Sequence, residues 1–243
     1  MAATGTAEPE EVARFEELAA TWWDENGPMR PLHRINPVRL AFLRDHLAAH
    51  FGRDPRAHRP FAGLTLLDIG CGAGLLTEPM ARLGFAVTGI DAAAKNVEVA
   101  RRHAATMGLE IDYRALAPEE MTGPFDAVLA MEVVEHVADV PAFVAALAGL
   151  VRPGGAVLGS TINRTAKAFA LAVVGAEYVL RWLPRGTHDW RKFLRPSEFA
   201  SAMRAAGIDP LAFEGLGYDL LQDRWLRTRS LDVNYMVYGT RRA

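Results

Sequence analysis

The chain has one cysteine, almost no net charge and no apolar run long enough to cross a membrane. Its 243 residues carry a formal net charge of −2, and Cys71 has no second cysteine with which to form an intramolecular disulfide. We therefore expect a protein of a reducing compartment, and the absence of a basic field disfavours nucleic-acid binding. The apolar stretch from Ala168 to Ala176 is far shorter than the ~18 to 20 residues that span a bilayer.

We expect no export signal at the N-terminus. Residues 1–11 are rich in Ala, Thr, Gly and Glu, with neither a basic region nor an apolar core. No internal repeat or further low-complexity tract divides the sequence. We therefore expect a single domain over residues 1–243, located in the cytoplasm and either soluble or peripheral to a membrane.

Apolar runs that alternate with helical periodicity predict an α/β architecture. The predicted strands are 64–69, 85–90, 111–115, 125–131, 156–161, 211–213 and 233–240. The predicted helices between them are 75–83, 93–107, 132–150 and 196–206, with a turn at 151–155. This succession indicates a Rossmann-like, seven-stranded, mostly parallel sheet with helices on both faces.

Two further segments lie outside this alternation. Apolar residues recur at helical spacing within residues 10–23 and 38–47, which predicts an N-terminal helical cap over residues 1–60. An insertion after the fifth strand, residues 164–192, has an apolar middle and six basic residues against two acidic ones. It is either an interfacial helix attracted to anionic lipid, or a lid or dimer contact that buries the apolar side chains.

The most informative segment follows the first predicted strand. Gly70, Gly72 and Gly74 form a G-x-G-x-G loop, Asp68 precedes it, and Asp91 ends the second predicted strand. Glycine allows close approach of backbone to a ligand, and a strand-end carboxylate can accept hydrogen bonds from two ribose hydroxyls. The spacing differs from the dinucleotide fingerprint G-x-G-x-x-G, which disfavours a nicotinamide enzyme. A crossover turn whose glycines serve geometry alone is the alternative.

Several segments resemble a known enzyme family. Residues 68–72, 88–91, 131–137 and 150–155 resemble the shared motifs of class I S-adenosylmethionine (SAM) methyltransferases. More specific segments resemble the ubiquinone biosynthesis O-methyltransferases, and these are 20–24, 31–39, 174–178, 186–189 and 232–236. The resemblance runs from about Phe15 to the C-terminus and is weakest at 52–60 and 216–230.

The resemblance implies an activity and its partners. Members of this family transfer methyl groups from SAM to two ring hydroxyls, first of a polyprenyl catechol and last of demethylubiquinol. It therefore implies a polyprenylated phenol or catechol substrate and work at the inner face of the cytoplasmic membrane, on anionic lipid and beside other ubiquinone-biosynthesis enzymes.

The resemblance also implies cofactor contacts. It places SAM against Gly70 in the loop, Asp91 at the ribose, Met131 at the end of the fourth strand and Arg39 at the methionyl carboxylate. The remaining cofactor candidates are those of the glycine segment itself, Asp68, Gly72 and Gly74. Arg39 offers a planar fork of donors suited to a carboxylate, although a surface salt bridge is its other interpretation.

Metal and base assignments concern one short segment. Mitochondrial members of the family use the positions that match Glu132, Glu135 and His136 for a divalent metal, such as Mg²⁺. A helix beginning at Glu132 would bring the three side chains together. Glutamates in the first turn of a helix are also favoured by the helix dipole without any metal. His136 is the first candidate for general base and His33 the second.

Two other functions remain open. The glycine segment says little about the methyl acceptor, so the enzyme could act on another phenolic or carbon acceptor. A SAM-binding scaffold that holds an assembly at the membrane without turnover is the interpretation from outside the enzymes.

Overall fold

A computed structural model describes residues 5–170, 189–219 and 221–243. The strands of these residues are β1 (Thr65–Ile69), β2 (Ala86–Asp91), β3 (Asp112–Ala115), β4 (Phe125–Met131), β5 (Val151–Ile162), β6 (Ile208–Asp219), β7 (Arg224–Thr228) and β8 (Asn234–Arg241). They form one sheet in the order β3-β2-β1-β4-β5-β8-β6-β7. Strands β1 to β5 pair in parallel, whereas β8, β6 and β7 join by antiparallel pairing.

Helices cover both faces of the sheet. They are α1 (Pro9–Leu18), α2 (Arg30–Phe51), α3 (Thr77–Arg82), α4 (Ala94–Thr106), α5 (Val140–Leu150), α6 (Ala166–Ala168) and α7 (Pro196–Ala205). Alternate residues of a strand point to opposite faces. Leu66 therefore packs in one core cluster with α2 and α3, while Leu67 packs in the other with α5 and α7. The predicted Rossmann-like α/β fold is confirmed.

The sheet has one strand more than predicted, because β7 was missed. Its residues, Arg224 to Thr228, include only two apolar side chains, Trp225 and Leu226, and none of the five is fully buried. Among the described strands, it lies at the edge of the sheet and pairs with β6 alone. An edge strand of a hairpin gives no buried apolar run, which is the signal that identified the parallel strands.

The predicted helix over residues 132–150 is wrong at its start. Glu132 has a φ of +57°, a left-handed conformation that no α-helix accommodates. A single 3₁₀ turn, Val134–His136, follows, and α5 begins only at Val140. The side chain of Asp139 accepts a hydrogen bond from the N–H of Ala142, which caps the helix there. The helical offsets that brought Glu132, Glu135 and His136 together therefore do not apply.

The predicted turn at residues 151–155 lies inside a strand. Val151 pairs with Phe125 and Ala156 pairs with Ala127, so the register shifts between these two points of β5. Gly154, with a φ of +71°, is exposed in the resulting irregularity. The predicted turn is therefore wrong: these residues form an irregularity within β5 and do not end the strand.

Within residues 5–60, α1, a 3₁₀ turn (Ala19–Thr21) and α2 precede β1. In the part of the chain that the structure describes, no helix is both long and apolar enough to span a bilayer. Most of the predicted insertion, residues 171–188, lies outside the described residues. The interfacial-helix prediction assigns Phe169, Val173, Tyr178, Leu180, Trp182 and Leu183 to the lipid, and all of these except Phe169 lie in this segment.

Candidate functional site

A cavity of about 1010 Å³ opens at the carboxyl ends of the parallel strands. Its walls come from the loop after β1, the ends of β2 and β4, helices α1 and α2, and the β6–β7 hairpin. In α/β sheets, ligands bind at this edge, where the strand order reverses. A cavity at the upper end of the usual range of ligand-site volumes can hold two small molecules together.

The glycine loop approaches three protein side chains very closely. A Cβ at Gly70 would lie 2.5 Å from Val133, one at Gly72 would lie 2.3 Å from Trp22, and one at Gly74 would lie 2.4 Å from the Tyr113 hydroxyl. All three glycines have positive φ, at +67°, +54° and +96°. No side chain fits at these positions without displacing a neighbour.

Only part of this loop faces the cavity. Gly70 and Cys71 line it, whereas Gly72 and Gly74 do not. Gly72 lies beneath Trp22, and Gly74 lies against Tyr113. The cofactor assignments of Gly72 and Gly74 stay predictions, and in this structure the two glycines let other side chains pack against the loop.

Two aspartates form hydrogen bonds in and around the glycine loop. Asp68 is buried and accepts a hydrogen bond from the Thr77 hydroxyl (2.6 Å), which ties β1 to the start of α3. Burial raises the pKa of Asp68 to about 7. Asp91 accepts hydrogen bonds from the N–H groups of Gly72 (2.9 Å) and Ala93 (2.8 Å), and burial raises its pKa. Both aspartates line the cavity.

Arg39 and Met131 reach the same cavity from different elements. Met131 ends β4 and is buried, and Arg39 lies midway along α2 with only 4% of its surface exposed. Arg39 Nη2 lies 3.1 Å from Glu132 Oε1. Its Nε is buried and has no hydrogen-bond partner among the described residues. A buried guanidinium with an unused donor suits an anionic ligand group.

Glu132 and Glu135 have separate partners. Glu132 accepts a hydrogen bond from the Ser160 hydroxyl (2.6 Å), in addition to its ion pair with Arg39. Glu135 is buried and accepts a hydrogen bond from the Thr161 hydroxyl (2.8 Å). Burial, and then the charge of Glu132, raise the pKa of Glu135 to about 7.

His136 lines the cavity beneath α1. Its Nδ1 lies 3.2 Å from Oε2 of Glu11, and the Phe15 ring meets its edge at a centroid distance of 5.2 Å. The hydrogen bond to His136, above all, lowers the pKa of Glu11. An ionised carboxylate only accepts hydrogen bonds, so this contact favours the tautomer in which Nδ1 carries the proton and Nε2 is an acceptor.

His33, the second base candidate, lies elsewhere. Its Nε2 is 2.8 Å from the carbonyl oxygen of Trp22, and it is not among the residues that line the cavity. A ring nitrogen bonded to a backbone carbonyl is a donor, so it is not free to accept a substrate proton. Among the histidines of the described residues, His136 is the one that lines the cavity.

The three predicted metal ligands are turned toward different partners. Glu132 faces Arg39, Glu135 faces Thr161, and the Nδ1 of His136 faces Glu11. Over the described ranges, no group of three or more His, Cys, Asp or Glu side chains is arranged to hold a metal ion. In this arrangement the three side chains do not converge on one point, and the metal assignment stays a prediction.

Sequence reasoning missed several residues of the site. Glu11, Phe15, Trp22, Val133 and Ser160 contact the predicted residues directly. Glu11 and Phe15 did carry a signal, because they belong to an amphipathic helical pattern. An amphipathic pattern predicts a helix but does not predict which part of the fold that helix packs against.

Comparison with known proteins gives one consistent result. The sequence profile of the methyltransferase domain family matches residues 37–212. The ubiquinone biosynthesis O-methyltransferase of Paramagnetospirillum magneticum is 60% identical over 239 residues, covering 98% of this chain and 96% of that protein. The protein of the same name from Chelativorans sp. is 57% identical over 235 residues, covering 96% of this chain and 93% of that protein.

Solved structures share the fold at much lower identity. Magnesium protoporphyrin IX methyltransferase from Synechocystis PCC 6803, with bound S-adenosylhomocysteine (SAH), has a TM-score of 0.66 at 16% identity, covering 96% of this chain and 99% of that chain. A Burkholderia thailandensis 1,6-didemethyltoxoflavin-N1-methyltransferase has a TM-score of 0.61 at 17% identity, covering 98% and 92%. Because its sequence matches those relatives over nearly its whole length, this chain belongs to the ubiquinone biosynthesis O-methyltransferase family.

Proposed function

We propose that this protein is a SAM-dependent O-methyltransferase that methylates ring hydroxyls of polyprenyl catechol and demethylubiquinol intermediates in ubiquinone biosynthesis. The observation that carries the proposal is the convergence of four residues on one cavity. Arg39, Gly70, Asp91 and Met131 come from four separate segments and line the same walls. The names of the relatives supply the substrate class.

These residues suit the parts of SAM. The unused Nε of Arg39 is a donor for the methionyl carboxylate, and the apolar Met131 packs against the adenine or the methionyl chain. Asp91 lies at the end of β2, where a carboxylate can accept from ribose hydroxyls. SAM supplies an activated methyl group on its sulfonium sulfur.

His136 is the proposed general base. Its Nε2 accepts the proton of the ring hydroxyl as the phenolic oxygen bonds to the methyl carbon and the carbon–sulfur bond breaks, which leaves SAH. Glu11 keeps the ring in the tautomer with Nδ1 protonated and restricts its rotation. Alignment of the oxygen with the carbon–sulfur bond provides much of the acceleration.

Turnover of labelled SAM with a short-chain polyprenyl catechol tests this function. We expect a labelled methyl ether, and calorimetry should show binding of SAM and SAH but not of NADH. Methylation of simpler phenols without the polyprenyl compound would favour a different acceptor. SAM binding without turnover on any acceptor would favour the scaffold. Failure to bind SAM and SAH would refute the proposal.

The divalent metal is tested with the same assay. The sequence prediction assigns Mg²⁺ to Glu132, Glu135 and His136, and it requires turnover that falls with EDTA and returns with Mg²⁺. The base assignment requires that His136→Ala lowers kcat by about 10²-fold or more. A Glu132→Ala or His136→Ala variant with unchanged turnover and metal response would remove both assignments.

We also propose that the insertion of residues 164–192 contacts anionic lipid and holds the enzyme at the inner face of the cytoplasmic membrane, near other enzymes of the pathway. Phe169 and Trp190, which flank its undescribed part, are 44% and 38% exposed. Lys167 and Lys192 already pair with Asp232 and Glu8, so they add little free positive charge.

Deleting residues 167–185 should weaken cosedimentation with anionic liposomes more than it weakens SAM affinity. Equal lipid binding by the deletion variant would contradict this.

A further inference from the structure

An ion pair joins two elements at the cavity wall. Arg39 is in the middle of α2, and Glu132 is the residue that follows β4. Arg39 Nη2 lies 3.1 Å from Glu132 Oε1. The two side chains are 5% and 17% exposed. A buried guanidinium is costly without a counter-charge, and Glu132 provides it.

The backbone at Glu132 is strained, and the strain has a clear support. Its φ of +57° lies in the left-handed region, which non-glycine residues seldom adopt and which is often found at functional sites. The N–H of Glu132 donates to the carbonyl oxygen (3.0 Å) and to the Oγ (3.1 Å) of Ser160. The Ser160 hydroxyl in turn donates to Glu132 Oε1. Ser160 on β5 thus holds the carboxylate that faces α2.

The pairing leaves part of the Arg39 fork unused. Nη2 faces Glu132, whereas the buried Nε has no hydrogen-bond partner in the described ranges. Both residues line the cavity. A guanidinium is planar, so fixing one nitrogen restricts the directions in which the other donors point. The contact with Glu132 therefore restricts the orientation of a guanidinium that lines the cavity.

We propose that Glu132 is a positioning residue that holds Arg39 for the carboxylate of the methionyl group of SAM. This inference rests on the proposed function, in which SAM is the ligand. It assigns Oε1 of Glu132 to an arginine, with the Ser160 hydroxyl as its second partner.

Calorimetry with two ligands tests the assignment. SAH carries the methionyl-type carboxylate, and 5′-methylthioadenosine has the same nucleoside without the amino-acid group. We expect Glu132→Gln to weaken SAH binding about tenfold or more, because a charge-assisted contact is weakened. Binding of 5′-methylthioadenosine should stay within about twofold of wild type, since that ligand never reaches Arg39. Both results should be the same in EDTA and in Mg²⁺.

Two further variants complete the design. Glu78→Gln removes another buried carboxylate, which pairs with His103 and does not line the cavity, and it should leave both affinities unchanged. Ser160→Ala removes the hydroxyl that holds Glu132, and it should weaken SAH binding less than Glu132→Gln but with the same ligand selectivity.

Three outcomes would overturn the inference while the proposed function stands. Glu132→Gln could bind SAH as tightly as wild type, or it could lose both ligands equally, which would mean a general structural role. Equal SAH losses in Glu132→Gln and Glu135→Gln that occur only with Mg²⁺ would assign the carboxylates to a metal. A wild-type protein that binds neither SAM nor SAH would instead overturn the proposed function and this inference with it.

Discussion

The two sides of the cavity are built in different ways. On the cofactor side, the loop after β1 is fixed by Asp68, Thr77 and Asp91, which all lie within about 25 residues of one another in the sequence. On the acceptor side, His136 is held by Glu11, which is 125 residues away. The first side is therefore a local motif with a recognisable spacing, and the second is a tertiary assembly of separate segments.

The strongest test of the local side is Gly72→Ala. A Cβ there would lie 2.3 Å from the Trp22 ring, and φ is +54°. We expect the free energy of unfolding to fall by about 3 kcal/mol, from left-handed strain and overpacking together. SAH affinity measured by calorimetry should fall more than tenfold, because the N–H of Gly72 helps to hold Asp91.

Gly52→Ala is the matched control for this variant. Gly52 has a similar φ of +61°, but a Cβ there would meet no atom within 4 Å. It should show only the backbone strain, about 1 kcal/mol in thermal or denaturant unfolding, with SAH affinity unchanged. Equal effects at the two glycines would mean that the packing of Trp22 on the loop contributes nothing.

The tertiary side is tested by Glu11→Ala. Loss of the carboxylate frees the His136 ring to rotate and change tautomer, so kcat for the catechol should fall about tenfold. SAH affinity should stay within about twofold of wild type. The control is Glu10→Ala, an exposed residue of the same helix that does not line the cavity. A parallel loss of SAH affinity in Glu11→Ala would show that the two sides are not separable.

The smallest expected effect is the pH dependence of stability that Asp68, before the glycine loop, contributes. The pKa of Asp68 is raised to about 7 by burial, so the folded state binds a proton more tightly than the unfolded state. The stabilisation from a protonated Asp68 is fully present below the pKa that this group has in the unfolded chain. It is lost as the pH rises through the folded-state pKa of about 7.

Chemical denaturation at several pH values measures this dependence. Between about pH 6 and pH 7, we expect the free energy of unfolding of the wild type to fall by about 1 kcal/mol more than that of Asp68→Asn. Part of the decrease should remain in the variant, because the pKa of Glu135 is raised in the same way. The exposed Glu110→Gln should keep the wild-type slope, and an unchanged slope in Asp68→Asn would contradict the assignment.

Much of the parallel half of the fold was predictable. Buried apolar runs located β1, β2 and β4 to within about one residue, since a strand covered on both faces has a continuous apolar sequence. The edge strand β7 has no such run. The helix predicted at Glu132 was wrong because apolar periodicity continues through the segment, although Asp139 caps the helix later.

The sequence by itself determined the glycine loop, the acids beside it and the family. Those properties depend on residue type and short spacing, which the linear chain retains. Only the tertiary structure decided that Gly72 lies beneath Trp22, that Glu11 holds His136 and that Glu132 faces Arg39. These contacts join residues far apart in sequence, and packing of the helices on the sheet selects them, so no local pattern encodes them.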